Sequence, residues 1–254
     1  MQYPVRRAPG VINHVWFLAA IIAGLAASSV FGQTASQRVV AKMFSRLTAN
    51  DSIRQQLAYS YDLALTGTFY TKTDSAQVIE EWRVAHDKDS IRARLLTRRS
   101  NGKDNVAKSY ESPVKINSSK RSENSRDDDP VVAPVWEVLD RIKQDRKAQV
   151  LIDGQVAGEN GGTNYVIKFL AGGRAGSLWI NMKTANLERL EWTYGKSLGV
   201  VSSGHNSVIE MSEAGGMVRL PVRLMINERS RALLRRTGSY TEIEIRNFQQ
   251  EKTP

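Results

Sequence analysis

Along most of this chain, apolar and polar residues alternate with a period of two, which is the pattern of half-buried β-strands. The longest such stretch runs from Leu57 to Phe69, and Gly67 within it indicates a bulge or bend. Short turn signals separate the later stretches, and Asn101-Gly102 is the strongest of them. The other predicted strands cover residues 78–84, 91–99, 149–156, 163–170, 177–181, 187–194, 207–213, 217–227 and 240–248. About ten strands joined by short connections predict a large antiparallel meander.

One predicted strand contains a proline. Apolar residues alternate strictly between Val218 and Ile226, with Pro221 among the intervening positions. Because proline has no N–H to donate to a ladder, we expect this strand to lie at a sheet edge, or Pro221 to lie opposite solvent.

The period changes to that of an amphipathic helix in two places. The first predicted helix covers residues 36–48, with Ser36 as its N-cap and Asn50-Asp51 ending it. The second covers residues 134–147 and begins with a proline, which suits a first helical turn. The two apolar stripes are Val40, Met43, Phe44 and Leu47, and Val135, Val138, Leu139 and Ile142. These elements predict a single, mainly β domain of the α+β class over residues 33–254.

Residues 1–32 have the pattern of an export signal. Arg6 and Arg7 lie in a stretch without acidic residues, an uncharged apolar run follows, and small residues precede the first polar positions. The run is shorter than the roughly 20 residues that a membrane-spanning helix needs. Val30 and Gly32 suit the −3 and −1 positions of a cleavage site, so we expect cleavage after Gly32. An uncleaved signal anchor is the alternative interpretation.

Composition narrows the compartment and the partners. The sequence contains no cysteine, which excludes disulfides and a lipid-bearing cysteine, and favours a bacterial periplasmic protein. Residues 1–32 hold two of the 36 Lys and Arg and none of the 26 acidic residues, so the remainder keeps a net charge of +8. Such a surface either attracts anionic membrane lipid and other polyanions or only maintains solubility. Nucleic acid is not an expected partner, because no helix-turn-helix or zinc pattern is present.

A polar segment at residues 112–129 interrupts the strand pattern. It holds few apolar residues and many charges, so it cannot bury enough surface to order itself and predicts an exposed, mobile loop. Asp127-Asp128-Asp129 closes the segment without the residue spacing of a calcium loop. We interpret these three residues as a solvated charge run.

The remaining sequence offers little catalytic chemistry. Two histidines follow the signal, His86 on a predicted strand and His205 in a predicted SSGHNS loop. Either is a candidate base for a Ser-His-Asp site, although a surface histidine is the simpler interpretation. No cluster has the composition of a zinc site, and the glycine pairs lack the context of a phosphate-binding loop. We therefore expect no enzymatic activity, no metal and no cofactor.

Two features suggest a binding surface. Wide aromatic and aliphatic residues on the strands, with Phe69 and Tyr194 in the wider aromatic set, are candidates to line an apolar cavity, and ordinary core packing is the alternative. The candidate ligand-binding residues are Leu57, Tyr59, Tyr61, Leu63, Trp82, Trp179 and Trp192. The second feature is a basic run that suits either anionic headgroups or a solvated turn. It consists of Arg229, Arg231, Arg235 and Arg236.

The C-terminal strands resemble a known group. The segment SLWINMKTANLERLEW, at residues 177–192, resembles a hairpin of exported bacterial proteins similar to the periplasmic lipoprotein carrier LolA. GHNSVIEMSEAGGMVRLPVRLMINERSRALLRR, from residue 204, is similar to the next hairpin, and TGSYTEIEIRNFQQ, from residue 237, to its closing strand. The resemblance covers about residues 163–248.

The resemblance implies a LolA-like antiparallel half-barrel whose open mouth is plugged by helices and whose interior shelters acyl chains or a lipid. The polar segment 112–129 is not expected in a lipoprotein carrier. The expected function is therefore non-enzymatic binding of a lipid or acyl group in the periplasm, including lipoprotein or lipid trafficking to the outer membrane. The alternative is an envelope scaffold or sensor that acts through a protein partner. A membrane surface or an envelope protein is the further expected contact.

Overall fold

The computed structural model describes residues 32–87, 90–104, 111–114, 129, 131–158, 161–198, 201–216, 218–232 and 235–250. The predicted export signal lies outside the described residues except for Gly32, so its cleavage stays a prediction. Residues 115–128 of the predicted polar loop and Lys88-Asp89 of a predicted turn also lie outside them.

Two helices and twelve strands form the described part of the chain. Helix α1 spans Gly32–Arg54 and helix α2 spans Ala133–Gln144. The strands before α2 are β1 Tyr59–Tyr70, β2 Ser75–Asp87, β3 Ser90–Ser100, β4 Lys103–Asp104 and β5 Glu111–Val114. Those after it are β6 Gln149–Ala157, β7 Thr163–Ala171, β8 Arg174–Asn181, β9 Leu187–Leu198, β10 Val201–Ala214, β11 Val218–Ala232 and β12 Arg235–Gln250.

All the strands belong to one antiparallel sheet, which confirms the predicted fold class. Its order is β4-β3-β2-β1-β12-β11-β10-β9-β8-β7-β6, with β5 paired to β3 beside β4. Consecutive strands pair from β1 to β4 and from β6 to β12, as the meander predicts, and the last strand then returns to pair with the first, for example Leu63 with Ile245. The ends β4 and β6 do not meet, so the sheet is an open half-barrel.

Both helices lie on one face of the sheet, here called the inner face. Alternate side chains of the strands point to this face and pack with the helices into one core. Helix α2 contributes Val135, Val138, Leu139 and Ile142, all of them buried as the predicted stripe requires. The outer face instead carries cross-strand ion pairs such as Arg83 with Asp62 and Arg223 with Glu242. The period-two pattern therefore separates a helix-covered face from a charged one.

Helix α1 is longer than predicted at both ends. Ser36 is not its N-cap, because the buried hydroxyl of Ser36 accepts a hydrogen bond from the Ile152 N–H at 3.0 Å, on the edge strand β6. Asn50 does not end the helix either, because its side-chain amide pairs with both backbone groups of Arg219 at 2.8 Å each. The Asp51 carboxylate binds Arg54 one turn later. Tertiary partners thus satisfy polar side chains that otherwise favour helix ends.

Pro221 lies inside the sheet and is buried, so both predicted explanations of this proline are wrong. Strand β11 pairs with β12 only from Arg223 onwards, and Pro221 precedes that ladder. On its other side, strand β10 has a bulge between Glu210 and Met211, where Pro221 pairs. Proline, which has no N–H group, therefore occupies a position where neither neighbouring strand forms a regular hydrogen-bond ladder with β11.

The predicted turn at Asn101-Gly102 is confirmed. Asn101 has φ 49° and Gly102 has φ 74°, which are the two left-handed residues of a tight hairpin turn. This turn joins β3 to β4 at the same end of the sheet as the β11–β12 connection.

Candidate functional site

A row of directly paired inner-face residues crosses five strands at one end of the sheet. Phe69 pairs with Ser239, Ser239 with Glu228, Glu228 with His205, and His205 with Tyr194. We call these five residues the mouth row. Because paired residues in adjacent strands point to the same face, the row presents two aromatic rings at its ends and three polar groups between them.

The inner face becomes apolar with distance from the mouth row. The next row towards the helices is mixed and contains Gly67, Thr241, Ile226, Ser207 and Trp192. The row after that is wholly aliphatic and contains Leu65, Ile243, Leu224, Ile209 and Leu190. Ile209 and Leu190 are fully buried there. The described helices therefore cover the aliphatic rows and leave the mouth row uncovered.

A cavity of about 750 Å³ lies over the mouth row. All five mouth-row residues line it, together with residues of the β1–β2 turn and the first residues of β10. The Phe69 side chain is 51% exposed, although it alternates in register with the buried residues of β1. An exposed ring on an otherwise buried face marks a place where an apolar ligand gains contact area.

Ring stacking fixes the Tyr194 end of the mouth row. The Tyr194 and His205 rings are nearly parallel with centroids 4.7 Å apart, and the Arg174 guanidinium lies 5.5 Å from the Tyr194 centroid. The Trp192 ring lies deeper, 6.2 Å from the His205 ring. These contacts fix a shelf of flat side chains along one wall of the cavity.

His205 and Glu228 of the mouth row, together with Ser207 of the row beneath, have the order of groups found in serine hydrolases. The Ser207 hydroxyl lies 2.5 Å from His205 Nε2, and His205 Nδ1 lies 3.1 Å from Glu228 Oε1. A hydrolase needs a nucleophile that substrate can reach and donors for the oxyanion. Ser207 is 0% exposed, and it is absent from the lining of the cavity. In this structure the three groups therefore hold one another rather than a substrate.

The prediction that His205 lies in a loop is wrong, because His205 lies within strand β10. Its SSGHNS segment is polar and contains glycine, so its local sequence favours a turn. Pairing with β9 on one side and β11 on the other extends the strand through it. The period-two register of the neighbouring strands was the available signal for this residue.

The predicted apolar face is largely closed by the protein itself. Tyr59, Tyr61, Leu63 and Trp192 are buried in the core, and Leu57 and Trp82 pack against it. The cavity is lined by other residues, of which Phe69 and Tyr194 alone belonged to the wider predicted aromatic set. The two helices fill the part of the inner face where most of the predicted residues lie.

Trp179 does not share the face of the other six predicted residues. It alternates with the buried Leu178 and Ile180 on β8 and pairs with Arg189, whose guanidinium lies 5.2 Å from the Trp179 ring centroid. Trp179 thus belongs to the outer face, where a cation covers its ring.

The opposite end of the inner face contains a buried polar cluster around Asp129. The hydroxyls of Tyr59 and Tyr61 donate to the two Asp129 oxygens at 3.2 and 3.1 Å, and Arg54 donates to the Tyr59 oxygen at 2.9 Å. Asp129 is 0% exposed, so its interpretation as part of a solvated charge run is wrong. The predicted loop boundaries are also wrong, since residues 112–114 belong to strand β5.

Asp129 joins the cluster to helix α2. Its carboxylate accepts the Val131 N–H at 3.0 Å, and its carbonyl accepts the N–H groups of Val132 and Ala133. Burial first, and then the Asp129 charge, raise the pKa of both Tyr59 and Tyr61. The tyrosines therefore stay neutral donors, and the cluster ties the start of α2 to the end of α1 and to β1.

His86 lies beside this cluster and is not a surface residue. It is 5% exposed, and its ring is parallel to that of Tyr59 with centroids 4.7 Å apart. Burial lowers the pKa of His86, and the nearby Arg54 charge lowers it further. The weaker opposing influences on this pKa include the charges of Asp129 and Asp87. The folded protein therefore holds His86 as neutral imidazole.

We expect the stability to fall as the pH is lowered below about 6.5, where the unfolded chain protonates His86 and the folded chain resists protonation. The stabilisation is fully present above the unfolded pKa and is lost towards the lowered folded pKa. His86→Phe keeps a stacked ring without a titrating group and should flatten this slope. Urea unfolding at several pH values above 5 measures it, before carboxylates titrate at about 4. A slope unchanged in His86→Phe contradicts the assignment.

Among the described residues, no group of three or more His, Asp and Glu side chains lies close enough together to hold a metal ion. Within the same ranges, no helix has the length and apolar character needed to cross a bilayer.

Comparison with known proteins returns distant structural likenesses. No protein-family model and no curated protein matches the chain. A DUF1329 family protein from Desulfovibrio piger is 12% identical, with a TM-score of 0.37, over 89% of this chain and 95% of that one. A domain assigned to outer membrane lipoprotein sorting in Vibrio parahaemolyticus is 9% identical, with a TM-score of 0.39, over 86% and 94%. MucB in the MucA/MucB complex of Pseudomonas aeruginosa is 10% identical, with a TM-score of 0.24, over 84% and 99%.

The second of these proteins is assigned to the lipoprotein-sorting group that the C-terminal hairpins resemble in sequence.

Proposed function

We propose that this chain is an exported, periplasmic, non-enzymatic protein that binds an acyl chain or another apolar group of a lipid over the mouth row. The observation that carries the proposal is a cavity that neither described helix covers, on the face of the sheet that is otherwise core. Its aromatic ends offer apolar contact, and its polar centre offers hydrogen bonds to a ligand's polar group.

The size of the cavity suits such a ligand. Ligand pockets typically measure about 300–1,000 Å³, and this one measures about 750 Å³. Each buried methylene group contributes about 0.8 kcal/mol, so a single acyl chain gains useful affinity from the two rings and the mixed row beneath them.

Residues of the predicted apolar face have an indirect part in this proposal. Trp192 supports the His205 ring from below, and Tyr59, Tyr61 and Leu63 form the closed core next to the site. A ligand that reaches past the mouth row meets Trp192 first. The proposal gives Leu57, Trp82 and Trp179 no direct contact with ligand.

Export and the periplasm rest on the sequence. The charged start, the short apolar run and the small residues up to Gly32 support a secretory signal, and the absence of cysteine supports a protein without lipid attachment. The proposal excludes hydrolysis because Ser207, the only hydroxyl beside His205 Nε2 among the described contacts, is fully buried.

We expect Phe69→Glu to weaken binding of a fluorescent fatty acid by at least about tenfold, because a carboxylate replaces the exposed ring on the cavity wall. Met182→Glu is the matched control, since Met182 is a comparably exposed apolar residue at the opposite end of the sheet. Fluorescence titration measures both affinities. Native mass spectrometry of the protein from the periplasm, followed by organic extraction, identifies any lipid that co-purifies.

Equal affinities of Phe69→Glu and the unaltered protein would remove the mouth row as the site. A ligand-free mass that does not change on adding phospholipid or lipopeptide would remove lipid binding altogether.

An envelope scaffold or sensor is the second candidate, favoured by the exposed end of edge strand β6. The Ser36 hydroxyl covers the backbone of this strand at Ile152, but Val156 further along is 41% exposed. A partner strand has room to add there. Cross-linking from a probe at Val156 in the periplasm tests this candidate, and absence of any captured protein would oppose it.

A further inference from the structure

The end of the half-barrel that holds the mouth row also concentrates unpaired positive charge. Arg229 and Arg231 on β11 and Arg236 on β12 are exposed on the outer face, directly behind the mouth row. Arg231 and Arg236 pair across the two strands, an arrangement of like charges that opposes folding. In the described part of the chain none of these three arginines has an ion-pair partner.

These arginines surround a smaller hollow of about 350 Å³ that adjoins the main cavity. Tyr70, Ser202, Ser230 and Thr237 complete its lining. Four of its lining residues also line the main cavity, namely Tyr70, Arg229, Ser230 and Thr237. The basic outer surface and the mouth row on the inner face are therefore two sides of the same strand ends.

The charge is asymmetric between the two ends of the sheet. At the mouth-row end, Lys72, Lys103 and Lys196 are exposed near the turns in addition to the arginines, against the acidic Asp74 and Glu228. At the opposite end, Asp87, Glu188 and Glu213 lie near the turns together with the exposed Lys183, and Glu188 forms an ion pair with Arg219. A basic net charge explains solubility at any position, but it does not require three unpaired arginines to lie together beside the cavity.

Exposed apolar side chains occur at the same end. Phe69 is 51% exposed, and Val201, the first residue of β10, is 43% exposed. A basic surface with a few protruding apolar residues is typical of proteins that bind an anionic membrane interface. The headgroups attract the cations, and the apolar side chains enter the boundary with the acyl chains.

We infer that the mouth-row end of the half-barrel docks on an anionic phospholipid bilayer, with Arg229, Arg231 and Arg236 on the headgroups and with Phe69 and Val201 at the apolar boundary. The purpose of this orientation rests on the proposed function, because docking would place the open side of the cavity against the membrane that contains the acyl chains. Docking itself needs no ligand in the cavity.

Flotation of the protein, purified without added ligand, with vesicles tests the inference. We expect binding to an equimolar mixture of phosphatidylglycerol and phosphatidylcholine, little binding to phosphatidylcholine alone, and loss of binding near 1 M salt, where the screening length is about 3 Å. The triple variant Arg229→Gln/Arg231→Gln/Arg236→Gln should bind the anionic vesicles about 100-fold more weakly. Each arginine near an anionic surface strengthens binding by about fivefold, and the variant removes three of them.

The triple variant Arg38→Gln/Arg46→Gln/Arg146→Gln is the matched control, since it removes three exposed arginines from α1 and from the residues that follow α2. It lowers the net charge equally and should keep most of the binding. Equal losses in both triple variants, or flotation of the first at the unaltered level, would overturn the inference. Binding to soluble polyphosphate without vesicle flotation would overturn it as well.

Fatty-acid titration of the same variants separates this inference from the proposed function. Unaltered fatty-acid binding with vesicle binding lost in the arginine variant supports both. Vesicle binding without any fatty-acid binding would overturn the proposed function and leave the docking surface in place.

Discussion

Replacing Asp129 by alanine should destabilise the protein by about 3–5 kcal/mol, as expected when one partner of a buried ionic cluster is removed. The substitution leaves the hydroxyls of Tyr59 and Tyr61 without their acceptor in the core. It also removes the carboxylate that accepts the Val131 N–H before helix α2. Arg54 keeps Asp51 but loses the second negative charge, which lies 3.7 Å from its Nη1 atom.

Urea unfolding followed by circular dichroism measures this effect. Asp140→Ala, within helix α2 and outside the cluster, is the control and should change stability by no more than about 0.5 kcal/mol. Tyr61→Phe completes a double-mutant cycle, and in the Asp129→Ala background its effect should largely disappear. Additive effects of the two substitutions, or a loss below about 1 kcal/mol for Asp129→Ala, would contradict the role of Asp129 as the centre of the cluster.

Leu139→Ala should destabilise the protein by about 2–5 kcal/mol, because Leu139 is fully buried where helix α2 packs on the inner face. This loss has two parts: the transfer free energy of the removed methyl groups, and the cost of the cavity that they leave in the core. The same urea experiment measures it, and Lys143→Ala on the exposed side of α2 is the control.

A loss of less than about 1 kcal/mol for Leu139→Ala would mean that α2 packs loosely on the sheet. In that case the aliphatic part of the inner-face core, to which Leu190 and Ile209 also belong, would be open to ligand as well. The variant therefore also tests whether the binding cavity is confined to the mouth row.

The strands were predictable because a two-residue period identifies them locally. The alternation in residues 57–69 and 218–226 needs one buried face and one solvated face, and the sheet provides both. Helix α2 was predictable for the same reason, since a stripe with a 3.6-residue period has to face a core. The antiparallel connection followed from the short turns, above all from Asn101-Gly102.

The binding site was harder to predict because its residues are far apart in sequence. Phe69 and Tyr194 belonged to the predicted aromatic set, but nothing local distinguishes them from Tyr59 or Trp192, which are closed in the core. The distinction depends on which rows the helices cover. That coverage is a property of the assembled sheet, set by the register that brings β12 beside β1.

Polar residues show the same division. Asp129 ends a run of three aspartates that looks solvated in sequence, and it becomes the centre of a buried cluster because two tyrosines and an arginine converge on it. His205 sits in a segment with the composition of a turn, and pairing on both sides makes it part of a strand. The burial of Asp129 and the strand conformation at His205 depend on partners that are distant in sequence, so they cannot be predicted from local composition.

The sequence by itself determined the fold class, the positions of most strands and of both helices, and the antiparallel order within each hairpin, because periodicity and turn chemistry are local properties. Only the tertiary structure decided that β12 returns to β1 and that the helices close the aliphatic rows. It also decided that a mouth row left open by both described helices shares one end of the half-barrel with three arginines that have no ion-pair partner among the described residues. Those features arise from contacts between residues more than a hundred positions apart, such as Phe69 with Ser239. The free energy of such contacts depends on burial that exists only after the sheet has formed.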